Sequence, residues 1–264
     1  MRTNTPLGPS AAKVFATACR WWHAGRAVAE LRCPACYAPF SPSKPDSLLC
    51  PSCEAQLTPY TGALCPLCGL PAIDPAGPCV PCGHCLTTPP IWTQLAFHGL
   101  YRHLLQSLLV RLKYHADFSL VPVLSAMLCQ AYARMSPCQT VLAVPQYPSH
   151  LRERGFNQAH ELARALARRT RLRLAPQSLT RTRITLAQTR LNARQRQDNP
   201  KNSFAAHDVA GMHILLVDDT MTTGSTLHHA TKALLAAKAA SVSVVIVART
   251  PPPSWGTGIK AHDN

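Results

Sequence analysis

With 264 residues, the chain has enough length to bury one sizeable α/β core and to carry a small appended module. Its composition, 47% hydrophobic and 15% charged, is that of a globular protein, and the absence of a long uninterrupted apolar run excludes an integral membrane helix. The net charge of +15 is unevenly placed: Leu151 to Lys201 holds 13 Lys plus Arg against 3 Asp plus Glu. Such a field attracts polyanions, and on charge alone pyrophosphate, nucleotides and nucleic acid all qualify.

Residues 1–30 read as an N-terminal extension. Pro9, Ser10, Lys13 and Arg20 interrupt any apolar stretch between Pro6 and Ala24, so no secretory signal is expected and a cytoplasmic location is. Residues 31–90 are rich in Pro and Cys and weak in periodicity, and the expectation is a module held by metal rather than by an apolar core. Nine of the twelve cysteines fall between Cys33 and Cys85. Cys33 and Cys36 form one C-x-x-C knuckle and Cys50 and Cys53 another, thirteen residues further on, which is zinc-ribbon spacing. A two-residue spacer lets both thiolates face one ion. Cys65 and Cys68 open a second set with the same interval to Cys82 and Cys85, and Gly69 and Gly83 suit the tight turns. Cys79 competes with Cys85, because Cys79-Val-Pro-Cys82 is itself a C-x-x-C. One or two zinc ions are expected, and four thiolates per ion leave no open position, as in a structural site. His84 reads as a bystander, Cys19, Cys129 and Cys138 as isolated thiols.

From residue 91 to 250 the pattern becomes that of an α/β domain. Leu104, Leu105, Leu108 and Leu112 predict a helix, Leu120 to Tyr132 a second, Thr140 to Val144 a buried strand, and His160 to Leu172 a third helix. His213 to Val217, Ser225 to Lys238 and Val242 to Val247 then read as strand, helix and strand, the βαβ unit of a parallel sheet. Residues 251–264 are expected to be a disordered tail.

Within that unit, the strand Ile214 to Val217 delivers Asp218 and Asp219 to the carboxyl edge of the sheet, where open α/β sheets bind ligands. Two adjacent carboxylates suit a pair of ribose hydroxyls. Thr222, Thr223, Gly224, Ser225 and Thr226 follow and lead into a helix, so that backbone N–H groups, hydroxyls and the helix dipole converge on a phosphate site. Neither P-loop nor dinucleotide-fold spacing is present.

The run DDTMTTGST resembles the signature by which type I phosphoribosyltransferases bind phosphoribosyl pyrophosphate (PRPP), although Thr220 is more polar than the residue usual there. Val144 to Gln158, VPQYPSHLRERGFNQ, is similar to the V-P…R-x-R-G-F-N-Q segment of the ComF family, GntX-like proteins included. There a strand end, a tight loop and the guanidinium forks of Arg152 and Arg154 suit pyrophosphate. Arg181, Thr185, Gln188, Leu191, Arg196 and Asn199 match a third segment of that family, and their stretch to Phe204 reads as a mobile lid whose loop residues are Arg181, Gln188 and Arg196.

The resemblance, which runs from Cys33 to about Thr250, implies a zinc ribbon joined to a Rossmann-like phosphoribosyltransferase sheet, and an association with DNA uptake in competence. It favours Cys82 and Cys85 as the last knuckle. It also implies a glycosyltransferase that binds PRPP with Mg²⁺, with Asp218 and Asp219 at the ribose, and passes ribose-5-phosphate to a nitrogen acceptor that the sequence does not name. The alternative is a non-catalytic DNA-handling factor that grips single-stranded DNA or a competence helicase through its basic arm.

Overall fold

The computed structural model describes residues 31–42, 47–181 and 204–252. The chain divides into two compact units, 1–51 and 52–264. In the first, β1 (Leu31–Arg32) and β2 (Pro39–Phe40) form a short antiparallel hairpin.

The second unit is built on β3 (Gln94–Leu100), β4 (Thr140–Ala143), β5 (Arg173–Leu174), β8 (His213–Met221) and β9 (Ser241–Arg249). They make one five-stranded sheet in the order β3-β9-β8-β4-β5, every neighbouring pair parallel. A separate antiparallel hairpin pairs β6 (Leu179–Arg181) with β7 (Phe204–Ala206). The central strands β8 and β9 are covered on both faces, which is why ILLV and VSVVIVA are near-continuous apolar runs rather than alternating ones.

Short helices α1 (Pro51–Gln56) and α2 (Gly83–Thr87) belong to the cysteine-rich stretch. The longer ones are α3 (His103–His115), α4 (Val121–Tyr132), α6 (Gln158–Thr170) and α7 (Ser225–Ala236), with the seven-residue α5 (Pro148–Arg154) between β4 and α6. Leu227, Ala230 and Leu234 of α7 pack against Ile214, Leu216, Val242, Val244 and Ile246. Side chains alternate along a strand, so Leu215, Val217 and Val245 face the other way, where α4 and α6 pack against β9, β8 and each other.

Several expectations need adjustment. β3 was not foreseen, and the loop expected after Val144 is largely helix α5. β8 does not stop at Val217: pairing with β9 continues through Asp218↔Ile246 to Met221↔Arg249, so the acid pair sits inside the strand. The cysteine-rich stretch is not held by metal alone, because Cys65, Cys68 and Cys85 belong to the same buried cluster as the sheet and α7. Of the segment expected to act as a lid, only its two ends are described, joined as β6 and β7; Thr185, Gln188, Leu191, Arg196 and Asn199 lie outside the described residues, as do the N-terminal extension with Cys19 and the tail beyond residue 252. Among the described residues no helix is long and apolar enough to cross a membrane.

The topology also fixes where a ligand would sit. From β4 the chain moves outward through α6 to β5, whereas from β8 it moves the opposite way through α7 to β9. The switch point is therefore the crevice between the carboxyl ends of β4 and β8, the place where doubly wound sheets bind ligands.

Candidate functional site

Each cysteine set closes into a compact tetrad. The sulfurs of Cys33, Cys36, Cys50 and Cys53 lie within 4.8 Å of one another, and so do those of Cys65, Cys68, Cys82 and Cys85. Four sulfurs at ~2.3 Å from one ion stand about 3.8 Å apart along a tetrahedral edge; Cys36–Cys50 and Cys68–Cys82 are both at 3.7 Å. In both sets a backbone N–H donates to the leading sulfur, Cys50 N to Cys33 Sγ and Cys82 N to Cys65 Sγ, each at 3.4 Å. Burial alone would push these two thiols up, but the surrounding N–H groups outweigh it and bring Cys33 and Cys65 down to about 7. Donor type, spread and polarisation thus fit zinc in both sets. Cys79 is exposed and belongs to neither tetrad, and His84 ligates in neither.

At the switch point, Asp219 is buried and Asp218 half-buried. The strand holds the pair in fixed orientations: Asp219 N donates to Asp218 Oδ1 at 2.9 Å and Thr220 N to Asp219 Oδ1 at 2.8 Å. Gln158, the first residue of α6 and 3% exposed, donates from Nε2 to Asp219 Oδ2 at 3.3 Å. Its neighbour Asn157 caps α6 by accepting from Ala159 N and donates from Nδ2 to the Val144 carbonyl at 3.0 Å. The Asn-Gln pair of the GFNQ run therefore ties the end of β4 to the acid on β8. Gly155, at φ 77°, supplies the left-handed turn that ends α5 and makes this possible. Burial and the adjacent Asp219 carboxylate push the Asp218 carboxyl well above the usual range, while Lys113 acts against the rise.

After β8, Thr222 and Thr223 are exposed, Gly224 is buried at φ 83°, and Ser225 opens the twelve-residue α7 with its first N–H groups unbonded within the helix. A Cβ on Gly224 would come 2.5 Å from Met221 Cε and 3.4 Å from Trp92 Cη2, so the turn is closed to larger residues as well as left-handed.

Cations surround the opposite rim. Arg181 donates to the Pro145 carbonyl at 3.3 Å, stacks 3.5 Å over the Tyr147 ring and feels the Asp218 charge. Arg154 reaches Gln146 Oε1 at 3.4 Å and lies over the Tyr114 ring, whereas Arg152 is exposed on α5. His150 sits in the field of Arg154, Lys113 and Arg181, and burial with those cations lowers its pKa. Arg154, Arg181, Asp218, Asp219 and the 222–226 turn are thus brought to one edge of the sheet; Gln188 and Arg196 are not described.

Sequence reading passed over Lys113, Tyr101 and Gln158 as members of this edge. Lys113 looks like any solvated residue of an amphipathic helix, and Tyr101, whose hydroxyl is pushed up by burial and by Asp219, looked like part of the apolar face of α3. Only Gln158 carried a signal, its place in a patterned uncharged run.

The family of phosphoribosyl transferase domains matches residues 152–253. The chain is 37% identical over 195 residues to the DNA utilization protein YhgH of Salmonella typhimurium, an alignment that covers 71% of this chain and 85% of that protein. It is 31% identical over 252 residues to the competence protein ComFC of Bacillus subtilis, covering 86% and 98%. Among solved structures, the glutamine PRPP amidotransferase of B. subtilis complexed with ADP and GMP aligns at TM-score 0.35 and 21% identity over 47% of this chain and 25% of that one. The matched domain family and the two curated relatives, with the two cysteine tetrads, place the chain in the ComF family, a phosphoribosyltransferase domain joined to a cysteine-rich module that fits zinc.

Proposed function

We propose that the edge between β4 and β8 binds PRPP with Mg²⁺ and that the protein transfers ribose-5-phosphate to a nitrogen acceptor. The observation that carries this reading is the acid pair fixed on β8, immediately before a left-handed, closed turn and a helix N-terminus and facing Lys113 and Arg181. The 222–226 turn suits the 5-phosphate. Asp218 and Asp219 suit the ribose hydroxyls, and Arg154 and Arg181 suit the pyrophosphate, whose departure leaves positive charge on the ring that the carboxylates stabilise. Mg²⁺, when bound with PRPP beside Asp218 and Asp219, would neutralise negative charge on the pyrophosphate. Burial and the adjacent Asp219 carboxylate raise the Asp218 pKa, which favours its protonated form more than in a free carboxyl and suits holding a hydroxyl before the reaction and a cation during it.

The test is calorimetric titration of PRPP with Mg²⁺ into the zinc-loaded wild type and into Asp218→Ala/Asp219→Ala. Saturable binding that the variant loses, followed by pyrophosphate release when nitrogen bases are supplied, is expected; a wild type that does not bind sinks the reading.

A second reading rests on a different observation. The 151–201 stretch is poor in aromatics, yet folding sets Tyr114 and Phe118, 59% and 47% exposed, beside it. Phe118 meets Phe156 edge-on at 4.8 Å, and Lys113 and Arg154 each lie 5.1 Å from the Tyr114 ring. Exposed rings among cations suit stacked bases and phosphates, in keeping with the name of the Salmonella relative, a DNA utilization protein. Oligonucleotide binding that falls with salt and with Tyr114→Ala/Phe118→Ala, and ignores PRPP, would favour a DNA-handling factor over a transferase.

A further inference from the structure

Arg249, the last residue of β9, is 4% exposed, and among the described residues no carboxylate lies within ion-pair distance of it. Its guanidinium instead bridges two regions that are far apart in sequence. Nε donates to the Cys68 carbonyl at 3.2 Å, while Nη1 donates to the Met221 carbonyl at 3.0 Å and the Thr222 carbonyl at 2.5 Å, and also to Thr250 O at 3.0 Å. One planar group therefore clamps a ligand residue of the second tetrad to the last residue of β8 and the first residue of the phosphate turn. Trp92 makes a parallel connection: its indole N–H donates to the carbonyl of Leu67, inside the same knuckle, at 2.9 Å, and its ring edge lies against Gly224.

A buried guanidinium costs much unless charge and hydrogen bonds compensate it. Carbonyls accept from its Nε and Nη1, and four thiolates around one divalent ion leave a net negative charge beside it, so the cation fits a loaded tetrad best. A lysine could not replace this. Its ammonium is a point donor and does not span the Cys68 carbonyl at one edge of the guanidinium and the Met221 and Thr222 carbonyls at another.

We propose that Arg249 is a positioning residue that couples the second cysteine tetrad to the phosphate turn, so that residues 222–226 keep their ligand-ready shape only while that tetrad is held together. The coupling rests on the PRPP reading only for what the turn binds; the mechanical link stands without it.

Amide hydrogen exchange on the full chain tests it with no ligand present. On removal of zinc from the wild type by a chelator, the amides of 222–226 are expected to exchange at least about tenfold faster while those of β4 keep their protection. In Arg249→Lys the same amides should already be fast with zinc content unchanged, and chelation should add little. Trp92→Phe, which keeps the ring and loses the N–H, should give a smaller acceleration at the same amides. Equal loosening of the turn and of β4, or an unchanged turn, overturns the proposal, and the wild-type arm decides it even if Arg249→Lys does not fold. A PRPP titration run alongside separates the two ideas. A coupled turn in a protein that binds no PRPP would sink the transferase reading and leave the coupling standing, whereas PRPP binding that withstands both chelation and Arg249→Lys overturns the coupling alone.

Discussion

The two cysteine tetrads have the same spacing, the same 3.7 Å sulfur edge, the same N–H donation at 3.4 Å and the same lowered leading thiol, yet they differ in what surrounds them. The second is seated in the core: Cys65, Cys68 and Cys85 belong to the sheet cluster, Gly69 packs against Leu95 and Phe97 of β3, and Arg249 and Trp92 tie the knuckle to the 222–226 turn. Cys33 and Cys36 of the first lie between the strands of the β1–β2 hairpin, and the equivalent of Gly69 there is Tyr37, 56% exposed and left-handed at φ 62°. Identical ligand chemistry therefore performs two different tasks. Among the described residues, the second tetrad is the one that apolar packing and hydrogen bonds connect to the 222–226 turn, so that on the reading proposed above it supports a site as well as a local fold.

The largest effect that can break this comparison is loss of the metal. Cys65→Ser is expected to destabilise the sheet unit by more than about 3 kcal/mol, since structural zinc contributes roughly 10–16 kcal/mol in small domains. Cys33→Ser should leave the main calorimetric transition in place and free only the amides near the first tetrad. Equal falls in the main transition would show that the two sets are energetically equivalent.

Backbone substitutions sharpen it. In Gly69→Ala the new methyl would lie 2.7 Å from Leu95 Cδ2 at a left-handed φ of 66°, and a cost of about 2–3 kcal/mol is expected by urea unfolding. Tyr37→Gly at the matching place in the first set should instead be neutral or stabilise by up to ~1 kcal/mol, because strain relief there is only partly offset by the greater chain freedom of glycine.

Asp218 offers a smaller, pH-dependent test of how much the site beside the second tetrad costs. Its folded-state pKa is raised above an unfolded value of about 4. Its contribution is therefore fully present below about pH 4 and is lost as pH rises through the folded value. Asp218→Asn should raise the melting temperature at pH 7, with a gain that shrinks as pH falls towards 4; a gain independent of pH would show that the carboxyl ionises as freely folded as unfolded.

Much of this architecture can be read along the chain. Strongly periodic segments announced α3, α4, α6, α7, β8 and β9 within a few residues, because their burial leaves a repeating apolar pattern. β3 escaped because Gln94 to Leu100 includes the buried polar residue His98, whose ring bonds the Leu57 carbonyl at 2.7 Å rather than showing an apolar face. α5 escaped although Pro148 at its start is a helix signal, since its seven residues bury none of their own and so carry no stripe. Arg249 stands just before a Pro-rich run in the sequence. Nothing local distinguishes it from a solvated arginine.

Sequence alone determined where the C-x-x-C knuckles lie, that two adjacent carboxylates precede a Thr-Thr-Gly-Ser-Thr run, and that the chain alternates strand and helix, because each of these lies within a few residues and depends on local geometry. Only the tertiary structure decided that the acid pair lies within a paired strand, that Gln158 and Lys113 share its edge, that Cys79 stands apart from the metal ligands, and that one cysteine tetrad is built into the core through Arg249. Those facts arise from parallel strand order and packing, which join residues 68, 92, 221 and 249 across distances along the chain that no local pattern records.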